Sequence, residues 1–213
     1  RNPNDVSGGG LITHLTMWAE TDEGLVNLMK ASTDANLEGR VMRYPRMDKE
    51  ILAKYSKGII ASSGCPSGII QTRLLLGQFD EALRAAGELQ DIFGRDNFYI
   101  EFMDHGLKIE KQVTDGLLDI AKKLNAPLLA TNDSHYVRAG SQDAMLCINS
   151  GSTLDEPGRF KFDGTGYYLK SAEEMRELFK DIPEACDNTL EIAERCNVMF
   201  DDHEDGAFMP QFD

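Results

Sequence analysis

The sequence predicts an α/β fold built around a largely parallel sheet. Four short segments rich in β-branched and large apolar residues alternate with segments in which apolar residues recur every three or four positions. This alternation is typical of parallel sheets, because parallel strands need a long crossover connection that is usually a helix. Strand spacing alone leaves an open sheet and a closed barrel as alternatives.

The first half of the chain contains two of these strand and helix units. Residues 11–18 follow a run of three glycines and are rich in β-branched and large apolar residues, which predicts a strand. Residues 58–62 form a continuous apolar run that is typical of a buried strand. The helices predicted here are one capped by Thr21, a short one over 47–55, and two over 68–76 and 79–93.

The second half continues the alternation and then changes character. Strands are predicted over 97–103 and 127–131, and the helix between them, over 107–124, has the most regular apolar stripe. The tail from Asp201 is acidic, which predicts a linker over 201–213. The other predicted elements are a helix over 139–149, a short strand over 167–169, a helix opened by the capping box of Ser171 and Glu174, and a helix over 184–196.

The composition limits the classes of function. The chain has 213 residues and a net charge of −14, so its surface repels phosphate and a grip on nucleic acid by this chain alone is not expected. No apolar run approaches the roughly 18 to 20 residues of a membrane-spanning helix, and the first residues lack the apolar core of a signal peptide. We therefore expect a cytoplasmic protein without a membrane partner.

The cysteine pattern points to thiols rather than to disulfides. The four cysteines contain no C-x-x-C pair, which argues against a disulfide framework and against a zinc knuckle. The chain also lacks a nucleophile elbow, a Walker loop and a G-x-G-x-x-G loop.

Side chains of the kinds that bind metals cluster near the strands. His14 lies within the first predicted strand, Cys65 and His105 follow the second and third, and Asp133 and His135 follow the fourth. The carboxyl ends of parallel strands emerge on one face of an α/β fold, so these residues can converge.

The segment from Asn132 to Tyr136 carries the sharpest local signal. In an extended chain residues i and i+2 point to the same side, so the Asp133 carboxylate and the His135 imidazole can share one ion. Together with a thiolate they are suitable ligands for zinc or manganese. A D-x-H tripeptide also occurs by chance, however, so the pattern alone leaves the metal role as one of two alternatives.

The other candidates have alternatives of their own. Taken alone, a histidine such as His14 on a strand face is more often a core residue than a ligand. Cys65 lies in a glycine-bounded turn before a helix, which is suited to place a thiol near an ion but also to cradle a phosphate. His105 fits a turn as well as a site.

Several motifs in the same order carry a resemblance that covers nearly the whole chain. The motifs are Ser63-Gly64-Cys65-Pro66-Ser67-Gly68, Phe79-Asp80-Glu81-Ala82, the stretch from Ile92 to Tyr99, Asp104-His105-Gly106, the stretch from Ala130 to Tyr136, Phe160-Lys161-Phe162-Asp163-Gly164, Tyr168-Leu169-Lys170-Ser171 and the stretch from Asn188 to Cys196. With these motifs the sequence resembles the amino-terminal polymerase and histidinol phosphatase (PHP) domain of the bacterial DNA polymerase III alpha subunit family.

This resemblance implies a fold and a metal site. The family domain is a distorted β/α barrel with a metal cluster, and His14, Cys65, Asp133 and His135 match family metal ligands. His105 lies near the family site without being a ligand. The family's H-x-H motif and further ligands precede the point that corresponds to Arg1. The resemblance therefore implies a PHP domain over 1–200 without its first strands, a helical C-terminal extension, and an acidic linker over 201–213 toward the polymerase palm.

The resemblance also implies a function for a longer parent protein. In lineages that keep the cluster, divalent ions (Zn, Mn or Mg) serve a 3′ to 5′ proofreading exonuclease attached to a DNA polymerase. The alternative is a scaffold that braces the polymerase and docks partner subunits, with a vestigial metal site. A free-standing phosphoesterase is disfavoured, because residues 167–196 resemble the polymerase continuation.

The isolated chain is expected to be inactive. Half of the family's ligands and the whole palm are missing from the sequence, so we expect weak or absent metal binding, neither polymerase nor robust nuclease activity, and no direct DNA binding. DNA and replisome subunits are expected as partners only through the parent.

Overall fold

A four-stranded sheet forms the centre of the protein, whose computed structural model describes residues 12–40 and 44–200. The strands are β1 (Thr16–Ala19), β2 (Ile59–Ser62), β3 (Phe98–Phe102) and β4 (Leu128–Ala130), and they lie in the order β1-β2-β3-β4. Strands β2, β3 and β4 are parallel, whereas β1 runs antiparallel to β2 with Thr16 opposite Ser62. The predicted α/β fold with a largely parallel sheet is confirmed. In the described residues the sheet does not close, so the barrel is not confirmed.

Helices cover both faces of the sheet. They are α1 (Asp22–Leu37), α2 (Lys49–Lys54), α3 (Ile69–Leu75), α4 (Phe79–Phe93), α5 (Lys108–Leu124), α6 (Gln142–Ser150), α7 (Ala172–Leu178) and α8 (Pro183–Arg195). Side chains alternate along each strand, so Phe98 and Ile100 of β3 pack into the larger core with α4 and α5. Tyr99 points the other way and packs with Ile192 of α8.

The capping residues and apolar stripes seen in the sequence account for most of these helices. Thr21 caps α1 by accepting the Gly24 N–H at 3.2 Å, and the capping box of Ser171 and Glu174 opens α7. The predicted stripe of α4 faces the core, where Ala86 and Leu89 are buried. Helix α5 ends at Asn125, which adopts the left-handed conformation with φ 49°.

The backbones of α1 and of the start of β2 approach closely at Gly24 and Gly58, which explains why glycines occupy these positions. A Cβ atom on Gly24 would lie 1.8 Å from the carbonyl oxygen of Gly58, so α1 can reach the start of β2 only where no side chain intervenes. The same region is tied by the Glu20 N–H, which donates to Gly58 O at 2.8 Å.

Two predicted strands differ from the structure. The strand predicted over 11–18 begins only at Thr16, because the His14 N–H donates to Ser67 O at 3.1 Å and His14 forms an isolated bridge with Gly68 instead of a ladder with β2. Residue 11 lies outside the described residues. The strand predicted over 167–169 is a single parallel bridge between Tyr136 and Tyr168.

The C-terminal helical extension packs onto the sheet. The Asn188 side-chain amide donates to Leu128 O of β4 at 2.7 Å, which fixes α8 along that strand. No helix within 12–40 or 44–200 is long and apolar enough to cross a membrane. The predicted linker over 201–213 lies outside the described residues, so the boundary at residue 200 stays a prediction.

Arg195, the last residue of α8, joins the helix to the opposite end of the sheet from His14. Its guanidinium donates to Asp96 O at 2.8 Å, to the Tyr99 hydroxyl at 3.0 Å and to the Glu20 carboxylate at 3.0 Å. It also donates to the Asn97 side chain. We call this group the Arg195 cluster.

Candidate functional site

The carboxyl end of the sheet, where β2, β3 and β4 end, gathers the candidate residues. Because β1 is antiparallel to β2, the start of β1 lies at this same end. His14 therefore reaches the site from the residues that precede its strand, whereas Cys65, Asp133 and His135 reach it from residues that follow theirs.

His14 and Cys65 form the first pair. Nδ1 of His14 lies 3.2 Å from Sγ of Cys65, across 51 positions of sequence, and Cys65 is a free thiol. The turn that carries Cys65 depends on Gly64, which has φ +80° and whose added Cβ would lie 3.0 Å from His14 O. Its other end is closed by the Gly68 N–H, which donates to Cys65 O at 2.7 Å. His14 is exposed and Cys65 is half-buried, so a ligand can reach both.

Asp133 and His135 form the second pair, as the D-x-H spacing predicts. Nδ1 of His135 lies 3.7 Å from a carboxylate oxygen of Asp133 and 2.9 Å from the Asp133 carbonyl oxygen. A carbonyl oxygen only accepts, so in this contact Nδ1 carries the proton and Nε2 keeps a free lone pair, which is the form that binds a metal. The side chains of Asp133 and His135 are 50% and 39% exposed.

A buried carboxylate connects the two pairs. Glu101 of β3 is 3% exposed and accepts hydrogen bonds from the Gly64 N–H at 3.1 Å, from the Thr131 hydroxyl at 2.5 Å and from the Ser62 hydroxyl. Gly64 directly precedes Cys65, and Thr131 lies two residues before Asp133. One side chain thus holds together the segments that carry both pairs.

Sequence reasoning missed Glu101, although one signal was present. Its carboxylate interrupts the apolar run of β3 between Ile100 and Phe102. A charge at a buried strand position must be paired or hydrogen-bonded, so such an interruption marks a polar network.

His105 lies beside the second pair but is occupied by other contacts. Its side chain is 2% exposed, its Nδ1 lies 2.7 Å from Glu110, and its ring stacks on Tyr167 with centroids 4.4 Å apart. Tyr167 in turn meets the ring of His135 edge-on at 5.9 Å. His105 therefore supports the second pair through Tyr167, and its Nε2 is buried without a hydrogen-bond partner among the described residues.

Burial, hydrogen bonds and nearby charges shift two pKa values in this group. Burial would raise the pKa of Glu110, but the His105 side chain and the backbone N–H groups of His105 and Leu107 hold it below its ordinary value of 4.5. Burial, and then the charges of Glu110 and Asp133, raise the pKa of Tyr167, which keeps its hydroxyl protonated.

The donor types match a divalent cation, but each pair supplies only two of them. Among the residues that the structure describes, no three His, Cys, Asp or Glu side chains are placed to hold one metal ion. Imidazole, thiolate and carboxylate are ligands for zinc, and imidazole and carboxylate also suit manganese. The assignment of His14, Cys65, Asp133 and His135 as metal ligands stays a prediction.

Comparisons with known proteins agree with the motifs. Residues 9–105 match the family model of the PHP domain. The chain is 56% identical over 196 residues to DNA polymerase III subunit alpha of Mycobacterium tuberculosis H37Rv, covering 90% of this chain and 17% of that protein. It is 53% identical over 213 residues to the same subunit of Mycobacterium leprae, covering 98% of this chain and 18% of that protein. For Helicobacter pylori J99 the identity is 39% over 201 residues, covering 88% and 16%. The chain thus spans about a sixth of the length of these relatives.

Proposed function

This chain belongs to the PHP-domain family of DNA polymerase III alpha subunits, and from that membership we propose that it serves DNA replication as the metal-binding part of a 3′ to 5′ proofreading exonuclease. The observation that carries the proposal is the joining of two ligand-type pairs through Glu101 at one end of the sheet. The polymerase activity of the parent is proposed on the similarity alone.

Four side chains would hold the cations in this proposal. His14 and Cys65 offer an imidazole and a thiolate, and Asp133 and His135 offer a carboxylate and an imidazole. We propose that further ligands from other parts of the complete alpha subunit complete the set. A divalent cation, when bound, supplies a Lewis acid that activates water and stabilises charge on a leaving oxygen.

The residues of this chain would keep the ligands in their reactive forms. The Asp133 carbonyl oxygen holds the proton of His135 on Nδ1, which directs the Nε2 lone pair to a cation. Glu101 fixes the backbone before Cys65 and before Asp133, so that the ligand positions do not have to be ordered when an ion binds. Tyr167 keeps the His135 ring from rotating by packing against its edge.

DNA would have to be held by other parts of the parent. With a net charge of −14 this chain offers little neutralisation of phosphate. We propose that the polymerase parent and the other replisome subunits bring the primer end to the site.

A scaffold role is the second candidate, and the Arg195 cluster favours it. Helix α8 is fastened to the sheet by Arg195 at one end and by Asn188 along β4. A helical extension fixed in this way would give a neighbouring domain a rigid support without any metal chemistry.

The replacement Asp133→Asn in the complete alpha subunit distinguishes the two candidates. The amide keeps the shape but removes an anionic ligand, so metal content and exonuclease rate should fall together, by more than the roughly 10- to 100-fold that loss of an outer-shell partner costs. Polymerisation should change little. Asp119→Asn on the exposed side of α5 is the matched control and should change neither. Unchanged metal content and proofreading in Asp133→Asn would favour the scaffold.

A further inference from the structure

Two phenylalanine rings extend from the second pair toward solvent. Phe162 meets the ring of His135 at 5.0 Å and also packs against Tyr167 at 4.9 Å. Phe160 meets Phe162 edge-on at 5.5 Å, and its own side chain is 62% exposed. The exposed ring of Phe160 thus contacts Phe162, which in turn contacts His135.

The segment that carries Phe160 is tied down on both sides. The Arg159 side chain is 5% exposed and donates to Leu154 O at 3.3 Å and to the Asp143 carboxylate at 2.5 Å. After the two rings, the Tyr167 hydroxyl donates to Asp163 O at 3.0 Å. The exposed ring is therefore presented by an anchored loop.

An exposed cation lies beside this ring although the net charge of the chain is −14. Lys161, between Phe160 and Phe162, is exposed, whereas the Arg159 side chain is buried and paired with Asp143. Aromatic rings flanked by cations are how proteins hold single-stranded nucleic acid without reading its sequence, because every base has a face that stacks.

We infer that Phe160 is a stacking platform for an unpaired nucleobase at the 3′ end of a DNA strand whose terminal phosphodiester lies at Asp133 and His135. This inference rests on the proposed exonuclease function and adds to it the contact that places the strand end. The platform takes any base, because it offers a ring face and no hydrogen-bond pattern. It orients a strand that other parts of the polymerase hold, which is consistent with the negative charge of this chain.

The test measures stacking directly in the complete alpha subunit. A single-stranded oligonucleotide carries 2-aminopurine, whose fluorescence is quenched by stacking, as its 3′-terminal base, and Asp133→Asn is present throughout to prevent cleavage. We expect Phe160→Ala to abolish the added quenching and to weaken binding of this strand by about tenfold. Phe160→Tyr should restore both.

Two controls make the result specific. Phe200→Ala removes a ring that is even more exposed than Phe160. It lies beside Met199, whose N–H donates to Asp22 at the other end of β1, and its loss should change nothing. A strand with an abasic 3′ nucleotide should bind equally well to the proteins with Phe160 and with Phe160→Ala. Retained quenching in Phe160→Ala, or an equal loss of affinity for the abasic strand, would overturn the inference. Because the assay measures no hydrolysis, its failure can be distinguished from a failure of the proposed exonuclease function.

Discussion

Tyr99 and Glu101 point to the same face of β3, two residues apart, and serve opposite ends of the sheet. At the amino end, Tyr99 belongs to the Arg195 cluster, in which the guanidinium donates its hydrogen bonds to groups of the same chain. At the carboxyl end, Glu101 holds the segments that carry the two pairs, His14 with Cys65 and Asp133 with His135. Both pairs remain accessible to solvent. The amino end is built for stability, and the carboxyl end keeps donor atoms available for a ligand.

The largest effect on stability is expected from Glu101→Ala. Two buried donors, from Ser62 and Gly64, and the half-buried Thr131 hydroxyl would lose their acceptor, which costs about 3–4 kcal/mol of unfolding free energy. Urea unfolding measures this loss. Alkylation of Cys65, referenced to Cys147 by mass spectrometry, should become faster as its turn loosens.

Glu101→Gln is the matched variant for this comparison. The amide keeps the volume and one acceptor oxygen, so about half of the stability should return. If Glu101→Ala had the same unfolding free energy as the unsubstituted chain, the carboxylate would not be what holds the carboxyl end of the sheet together.

Arg195→Ala should have the next largest effect, at about 2 kcal/mol. The Arg195 side chain is 22% exposed, so water can replace part of the hydrogen bonds that the variant loses. Glu101, by contrast, is buried. Arg195→Lys keeps the charge but cannot reach several acceptors at once, and should recover only part of the loss. Cys65 alkylation should not change in either variant, since the cluster lies at the other end of the sheet. Faster alkylation would contradict the separation of the two ends.

Glu110→Gln should show a smaller effect that depends on pH. The pKa of Glu110 is lowered in the folded protein, so its stabilisation is complete above its ordinary pKa of 4.5 and disappears as the pH falls through the lower folded value. We expect a difference of about 1 kcal/mol at neutral pH that shrinks as the pH falls below 4.5 in urea unfolding. A difference that stays constant with pH would show that the ionised form is not the one stabilised.

The smallest effect on stability is expected from Cys65→Ser. The thiol is half-buried and its contact is with the exposed His14, so the unfolding free energy should change by less than about 0.5 kcal/mol. Metal affinity of the complete subunit should nevertheless fall, because a hydroxyl is a poor replacement for a thiolate ligand. A large loss of stability would show that Cys65 has a structural role, like the residues of the Arg195 cluster at the amino end.

Local sequence signals predicted the parts of the fold that depend on local physics. Helices α4 and α5 follow their apolar stripes, and the buried run of β2 forms a fully buried strand. The direction of β1 could not be predicted in this way, because apolar spacing does not specify which neighbour a strand pairs with. For the same reason the sequence predicts His14 within the first strand, whereas in the structure His14 precedes β1 and forms an isolated bridge with Gly68.

The sequence predicted the closeness of Asp133 and His135 but not the contacts that connect the rest of the candidate site. The D-x-H spacing brought Asp133 and His135 together because two residues in an extended chain share a side. The contact of His14 with Cys65 spans 51 positions, and Glu101 acts through segments 37 and 30 positions away, so only the folded chain reveals them.

We propose that the two pairs act as one metal centre, and a double-mutant cycle on metal content provides the sharpest test of this arrangement. Cys65→Ala and Asp133→Asn, one from each pair, are measured alone and together in the complete alpha subunit. If the pairs share a centre, either change should release the metal and the second should add little, so that the losses are strongly non-additive. Independent, additive losses of metal would contradict the claim and assign the pairs to separate sites.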